Sequence, residues 1–389
     1  GNVAAMVYNA NGYPTRLEHF DGQNNLLRKE EFTYDANGRR LSATLYRTMD
    51  GGITPLTTQF GYNNLGQVVA ITDTLGNVTR MEYDGVGLLT ARVDALGRRT
   101  TFTYDNVGRP TRTDYPDGAF TTIRYDAAGN VDRTTDRAGR ITRYEHDELG
   151  RVVKTIRPDG SALQTVYSPG GRVMAEIDAL GNRIDYEYDS AGRVVKKIYP
   201  EIFDVAQGRT VRPTFTHEYD EAGNLAAVVD ALGNRTRFVY DAARQLVETR
   251  FPDGATQKRR YDARGLLVEV EDAEGRVTRY AYDALERLTR ITLPAPAPGQ
   301  PNPVTVYAYD EAGNKLAQVD ALGRITRFRY DELNRLVERT LPLGQQAIYA
   351  YDAVGNVTSY RDFNGATLSF VYDTLNRLTR KNLPGGASV

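Results

Sequence analysis

One feature limits what this chain can fold into more than any other: an aromatic residue, usually followed by aspartate, returns along its whole length. The aromatic stands at positions 8, 34, 62, 83, 104, 125, 146, 167, 188, 219, 240, 261, 282, 309, 330, 351 and 372, and all but His146 are tyrosine. Twelve of the sixteen spacings are 21 residues, and the others are 26, 28, 31 and 27. A fixed period of this size overrides the two or three globular domains that 389 residues would otherwise suggest. The longer spacings read as extra residues within a unit, in the early segment 8–61 and near 199–213 and 293–303.

Each unit is punctuated twice. Glycine follows the aromatic by four residues in 13 of 17 units, and Arg244, Glu286, Asn334 and Asn376 replace it in the rest. Two of the four are Asn, which tolerates positive φ as Gly does, so the position carries a backbone requirement. A second glycine lies fourteen residues after the aromatic in every 21-residue unit, as at Gly97, Gly118 and Gly181. Asp35-Ala36-Asn37-Gly38 and Asp94-Ala95-Leu96-Gly97 place Asp first and Gly fourth in a type I turn, and Tyr115-Pro116-Asp117-Gly118 places Pro second. Between turns run strand-like segments: Thr100, Phe102 and Tyr104 point to one face, Thr101 and Thr103 to the other. The second turn alternates between an Asp-x-x-Gly and a Pro-containing form, so the larger repeat is a pair of units. Both long insertions extend a Pro-type turn, which places those turns on an accessible rim.

Seventeen strand–turn–strand–turn units give about 34 strands and, at about 4.8 Å per strand, a ribbon on the order of 160 Å long. Strand twist obliges so long a sheet to coil. The expected fold is therefore all-β, an antiparallel ribbon of 21-residue units wound into a spiral, hollow wall, with 1–389 as one array. A parallel β-helix suits the same period, but paired Gly-closed turns favour antiparallel reversal. Because Gly1-Asn2-Val3 already fit the pattern, the sequence reads as a piece truncated at both ends.

Composition excludes several functions. Lys and Arg number 49 against 50 Asp and Glu, for a net charge of −1 without a basic stripe, so nucleic acid and anionic membrane are poor partners. Without cysteine there is no thiolate nucleophile and no Cys-ligated metal. No apolar run reaches the roughly 18 residues of a spanning helix. His19, His146 and His217 have no partner at ligand or triad spacing. The turn aspartates offer one carboxylate each, about ten residues apart, too few for a calcium site. Arg80, Arg143, Arg237, Arg279 and Arg327 recur three residues before the aromatic and are expected to pair with acidic neighbours. No catalytic residue, cofactor site or metal site is expected. The positions expected to carry structure are Tyr83, Asp84, Gly87, Gly97, Tyr104, Asp105, Gly108, Gly118, Tyr125, Asp126, Gly129, Tyr188, Asp189, Gly192, Tyr240, Tyr282, Tyr330 and Tyr372.

The unit Tyr-Asp-x-x-Gly-Arg/Asn-Leu/Val, as in Tyr125-Asp126-Ala127-Ala128-Gly129-Asn130-Val131 and Tyr188-Asp189-Ser190-Ala191-Gly192-Arg193-Val194, resembles the tyrosine–aspartate (YD) repeat of the rearrangement-hotspot (RHS) family. That family includes bacterial polymorphic toxins, the shell component of insecticidal toxin complexes, and teneurins. The resemblance implies a ribbon coiled into a hollow shell that, in the toxins, encloses a C-terminal effector. It implies an enclosed polypeptide from the same full-length chain as partner and a secreted or cell-surface bacterial location. The Asp-Pro-x-Gly-Leu motif associated with self-cleavage in toxin members does not occur in this sequence, so cleavage is not carried over. A different class of function, adhesion or carbohydrate binding through the aromatic ladder, stays open, as does pairing of the edge strands with another chain.

Overall fold

The structure is a computed structural model that describes residues 3–205 and 208–389; Gly1, Asn2 and, within the first insertion, Ala206 and Gln207 lie outside the described residues. Among the described residues every regular element is a strand, 36 in all, of which 34 belong to one sheet and two form a small separate hairpin. The strand pairings seen among the described residues are antiparallel, as the Gly-closed reversals require. No helix is long and apolar enough to cross a membrane.

The chain forms two compact units. Residues 1–119 and 279–389 make the first, and residues 120–278 the second. Within each, strands pair with their neighbours in chain order. The two arms of a hairpin share four register pairs, for example Arg80↔Val93, Met81↔Arg92, Glu82↔Ala91 and Tyr83↔Leu89. Successive hairpins share three, such as Ala91↔Thr101, Arg92↔Thr100 and Val93↔Arg99. The jump from Ala91 to Leu89 opposite Glu82 and Tyr83 leaves Thr90 as an extra residue, a β-bulge that recurs seven residues after the aromatic in unit after unit.

Both turns of a unit have one geometry. In the first, the Gly87 N–H donates to the Asp84 carbonyl (3.1 Å) and the Asp84 N–H to the Leu88 carbonyl (2.9 Å). This is a type I turn followed by one left-handed residue, the usual three-residue hairpin loop. The fourth residue after the aromatic has positive φ whatever its identity: +90° at Gly87, +62° at Asn334, +62° at Arg244 and +63° at Glu286. Gly97 and Gly118 close the second turns at +77° and +81°. The insertions modify only second turns. Ile202–Asp204 and Arg209–Val211 form the separate hairpin, closed beneath by the Tyr199 N–H on the Pro213 carbonyl (2.8 Å), and Leu293 pairs likewise with Pro303 (2.9 Å).

A single layer of strands has almost nothing to bury. The buried apolar residues are Leu56, Ala91, Ala175, Ala227 and Ala347 alone among those described. The accessible surface is 23142 Å², against about 15,000 Å² for a compact monomer of 43.3 kDa. Stability therefore comes from many similar nearest-neighbour contacts.

Arg244 and Glu286 hold a left-handed conformation that costs a side-chain-bearing residue about 1–2 kcal/mol. Arg244→Gly and Glu286→Gly should each stabilise the fold by about 0.5–1 kcal/mol, after allowance for the greater freedom of glycine in the unfolded chain. Urea unfolding with an unchanged slope and a raised midpoint is the expected result; a lowered midpoint would refute the backbone argument.

Candidate functional site

The recurrent residues converge on one network, repeated from hairpin to hairpin along the first-turn rim. Aspartate is its hub. One carboxylate oxygen of Asp105 accepts the backbone N–H groups of Val107 (3.0 Å) and Arg109 (2.9 Å), and the other accepts Arg109 Nε (2.7 Å). Asp84 accepts the N–H groups of Val86 (3.0 Å) and Leu88 (2.8 Å), Asp126 that of Asn130 (2.9 Å), and Asp189 that of Arg193 (2.9 Å). The short aspartate side chain reaches its own turn and no further, which is why this residue type opens it.

Tyrosine joins one hairpin to the one before. Backbone pairing between hairpins stops at Ala70↔Arg80, short of the carbonyl of Val68. The Tyr83 hydroxyl donates to that carbonyl at 2.9 Å. The same bond ties Tyr104 to Leu89 (2.9 Å), Tyr188 to Val173 (2.7 Å), Tyr240 to Leu225 (3.1 Å) and Tyr372 to Val357 (3.0 Å). Tyr125, Tyr282 and Tyr330 end their strands at the same position and are likewise half-buried.

The residue after the turn glycine completes the link. The Arg151 guanidinium lies 4.5 Å from the centre of the Tyr167 ring, Arg193 4.5 Å from that of Tyr219, and Arg335 4.7 Å from that of Tyr351. Arg335 also donates to the Asp352 carbonyl (2.9 Å), and Gln67 in the equivalent place donates to that of Gly87 (2.8 Å). Such side chains lie against the next turn: a Cβ on Gly192 would stand 3.0 Å from Arg172, and one on Gly108 3.8 Å from Leu88. Gly129 has a φ of +93°. At Tyr219 and Tyr351 the ring is covered by a cation and the hydroxyl is bonded to a carbonyl, that of Val194 (2.9 Å) and of Leu336 (2.8 Å), so these two rings offer a sugar no open platform.

The opposite face carries charge. Glu187 pairs with Lys196 (2.8 Å), Lys258 with Glu271 (2.8 Å) and Arg329 with Glu338 (3.1 Å) across adjacent strands. The expectation for the arginines three before the aromatic needs correction at four of the five, Arg80, Arg143, Arg237 and Arg327. Among the described residues no ion pair involves Arg80, Arg143, Arg237 or Arg327. Their cross-strand neighbours are Ala70 and Val93, Arg133 and Ile156, Ala227 and Arg250, and Ala317 and Thr340, so no acid stands opposite. Pro-type and Asp-type second turns share one rim, and its leucines are exposed on both, 88% at Leu180 and 87% at Leu343. Among the described residues no group of three or more His, Asp or Glu could hold a metal ion. A cleft of about 550 Å³ in the first unit is lined by Asp94, Arg98, Arg335 and Asn376, but Asp94 is bonded to Arg98 and Arg335 to Asp331.

Two measurements test the network. Tyr104→Phe removes one hydroxyl and strands a carbonyl, so it should cost about 1 kcal/mol and speed amide exchange around Leu89; unchanged stability and exchange would refute the link. The backbone N–H of Asn130 and that of Arg193 hold the Asp126 and Asp189 carboxyls below their ordinary value of 3.8, and the side chains of Asn182 and Asn224 do so for Asp178 and Asp220. These groups contribute stability above the unfolded value that is lost as pH falls through the lower folded values. The melting temperature should hold between about pH 5 and 7 and fall steeply below about 3.8, with several protons taken up together. Equal melting temperatures at about pH 3 and 7 would overturn the assignment.

The teneurin YD-shell family model matches residues 23–203, and the RHS-repeat model matches 219–256, 261–296, 309–346 and 351–388. No curated protein matches the chain. Solved structures do. The crystal structure of TcdB2-TccC3-TEV superposes with a TM-score of 0.72 at 18% identity, over 98% of this chain and 24% of that one. That of TcdB2-TccC3 without its hypervariable C-terminal region gives 0.72 at 16%, over 98% and 24%. The Photorhabdus luminescens Tc holotoxin pore gives 0.66 at 17%, over 95% and 24%. At these identities the likeness is one of fold, and the chain spans 24% of the length of each of these structures. With its repeats matched by both models, the chain belongs to the RHS, or tyrosine–aspartate repeat, family.

Proposed function

We propose that this chain is wall: a segment of a protein container, in one array from 1 to 389, that coils around and sequesters a polypeptide of the same full-length protein, outside or at the surface of a bacterial cell. The observation that carries the reading is a one-layer ribbon with so little buried and so much exposed. A globular enzyme places its chemistry in a cleft over a packed core. In this chain the recurrent Asp and Tyr side chains instead hold their own repeats together. A wall needs cohesion and continuity, and neither a core nor a catalytic group. Membership of a shell-forming family supports this, as does the fold shared with TcdB2-TccC3, one structure of which is described as lacking a hypervariable C-terminal region.

Limited proteolysis of the full-length gene product tests the reading. The sequestered polypeptide should survive protease that digests the same polypeptide expressed alone, and become sensitive once acid opens the turns. Equal digestion rates in the two settings would sink the proposal.

A further inference from the structure

Within the first unit, strands of the early segment meet turns of the late one, side chain to turn. The hairpin of Arg40–Met49 and Gly52–Tyr62 has arms of 10 and 11 residues where the regular ones have 5 or 6. Its extension accounts for the irregular spacing there and carries Arg47 and Thr48 onto turns nearly three hundred residues later in the sequence. Arg47 is 2% exposed, the largest fully buried side chain described. One terminal nitrogen donates to Asn334 Oδ1 (2.6 Å), the other to the carbonyls of Asp331 (2.6 Å) and Tyr330 (3.1 Å), and Nε stands 3.7 Å from the Asp310 carboxylate. Thr48 bonds Glu311 through its N–H (3.0 Å) and hydroxyl (2.6 Å). Further along, Arg98 donates to Asn376 Oδ1 (3.0 Å) and reaches the Asp373 carbonyl (3.5 Å). The contact is read equally in exposure: Leu333, Val354 and Leu375 on the seated turns are half-buried, while Leu65, Val86 and Val107 at the same place in earlier units are 71%, 83% and 69% exposed.

A repeated rim faces a register problem, because shifting it by one unit presents nearly the same groups. Asp310 has counterparts in Asp331 and Asp352, Glu311 has one in Glu332, and the carbonyls recur in every unit. Asn334 does not recur in either adjoining unit. The preceding and following units have Gly313 and Gly355 in its place, and Asn376 likewise follows Gly355. We propose that Asn334 and Asn376 are register keys, the acceptors by which Arg47 and Arg98 select the turns on which this seam closes. A one-unit slip puts glycine beneath a buried guanidinium and leaves donors short of a partner, a penalty of the kind that fixes register when buried polar groups do so elsewhere. The substitutions that the sequence explains by backbone tolerance alone thus have a second purpose. This inference concerns the seam and is independent of what the wall contains.

Because the chain has no cysteine, pairs of introduced thiols report the register without background. Thr48→Cys with Glu311→Cys reads the native register, and Thr48→Cys with Ala284→Cys reads a slip of one unit. The keys are moved by Asn334→Gly, Asn376→Gly, Gly313→Asn and Gly355→Asn together. A Cβ at Gly313 or Gly355 meets nothing within 4 Å, and Asn accepts the positive φ. With native keys a short thiol crosslinker should join the 48–311 pair in preference to the 48–284 pair. With the keys moved, the ratio of yields should change by about tenfold or more toward 48–284. An unchanged ratio in a variant with native circular dichroism would overturn the proposal. Should the fourfold variant fail to fold, Asn334→Gly with Asn376→Gly decides: mixed crosslinks support the keys, and the 48–311 product alone overturns them.

Discussion

Everything in this fold depends on the closing of a three-residue reversal by aspartate and a left-handed residue. The carboxylate accepts two N–H groups of its own turn, as at Asp105, and the fourth residue turns the chain back. Closing the turn sets the tyrosine before it at the end of its strand, where its hydroxyl reaches a carbonyl of the previous hairpin. It also sets the arginine after it against the next tyrosine ring, as Arg193 lies over Tyr219. One local conformation thereby couples each hairpin to both neighbours, and the array grows from one hairpin to the next by nearest-neighbour contact.

That coupling explains why so polar a chain folds. A sheet with two solvated faces cannot draw its stability from a core, and its apolar residues are mostly half-exposed. Cohesion comes instead from hydrogen bonds that backbone pairing leaves unmade, from cation–ring contacts, and from cross-strand ion pairs such as Glu187–Lys196. Extra residues are harmless at second turns, because the link between hairpins runs along the other rim. The insertion around Ile202–Asp204 and Arg209–Val211 accordingly forms its own hairpin without disturbing the pairing of Val194–Ile198 with Thr214–Tyr219.

The turns, the strands and the positive φ at Asn334, Asn376, Arg244 and Glu286 were legible because each follows from a residue pattern within about twenty positions. The bulge was not. The residue it inserts is Thr90 in one unit, Met174 in another and Ala226 in a third, so no side chain marks it. The tyrosine hydroxyl bond was hidden for the same reason, since its acceptor is a backbone carbonyl with no sequence signature. The arginines before the aromatic misled because periodicity tells which face a residue occupies and not what stands opposite. The seam lay furthest from reach: Arg47 and Asn334 are distant along the chain, and only the lengthened hairpin hinted that this segment has a separate task.

Repetition specifies each unit well and the whole poorly, because every unit offers a neighbour the same surface. Information about which units meet can reside only where the repeat is broken. The four departures from glycine at the turn separate on this ground. Arg244 and Glu286 keep the conformation at a cost, and no bond from a distant strand to either side chain is seen among the described residues. Asn334 and Asn376 keep the same conformation more cheaply and add an acceptor that a glycine cannot supply. Read this way, an irregular position in a regular array is evidence of a long-range contact when its side chain can tolerate the local geometry, and of strain when it cannot.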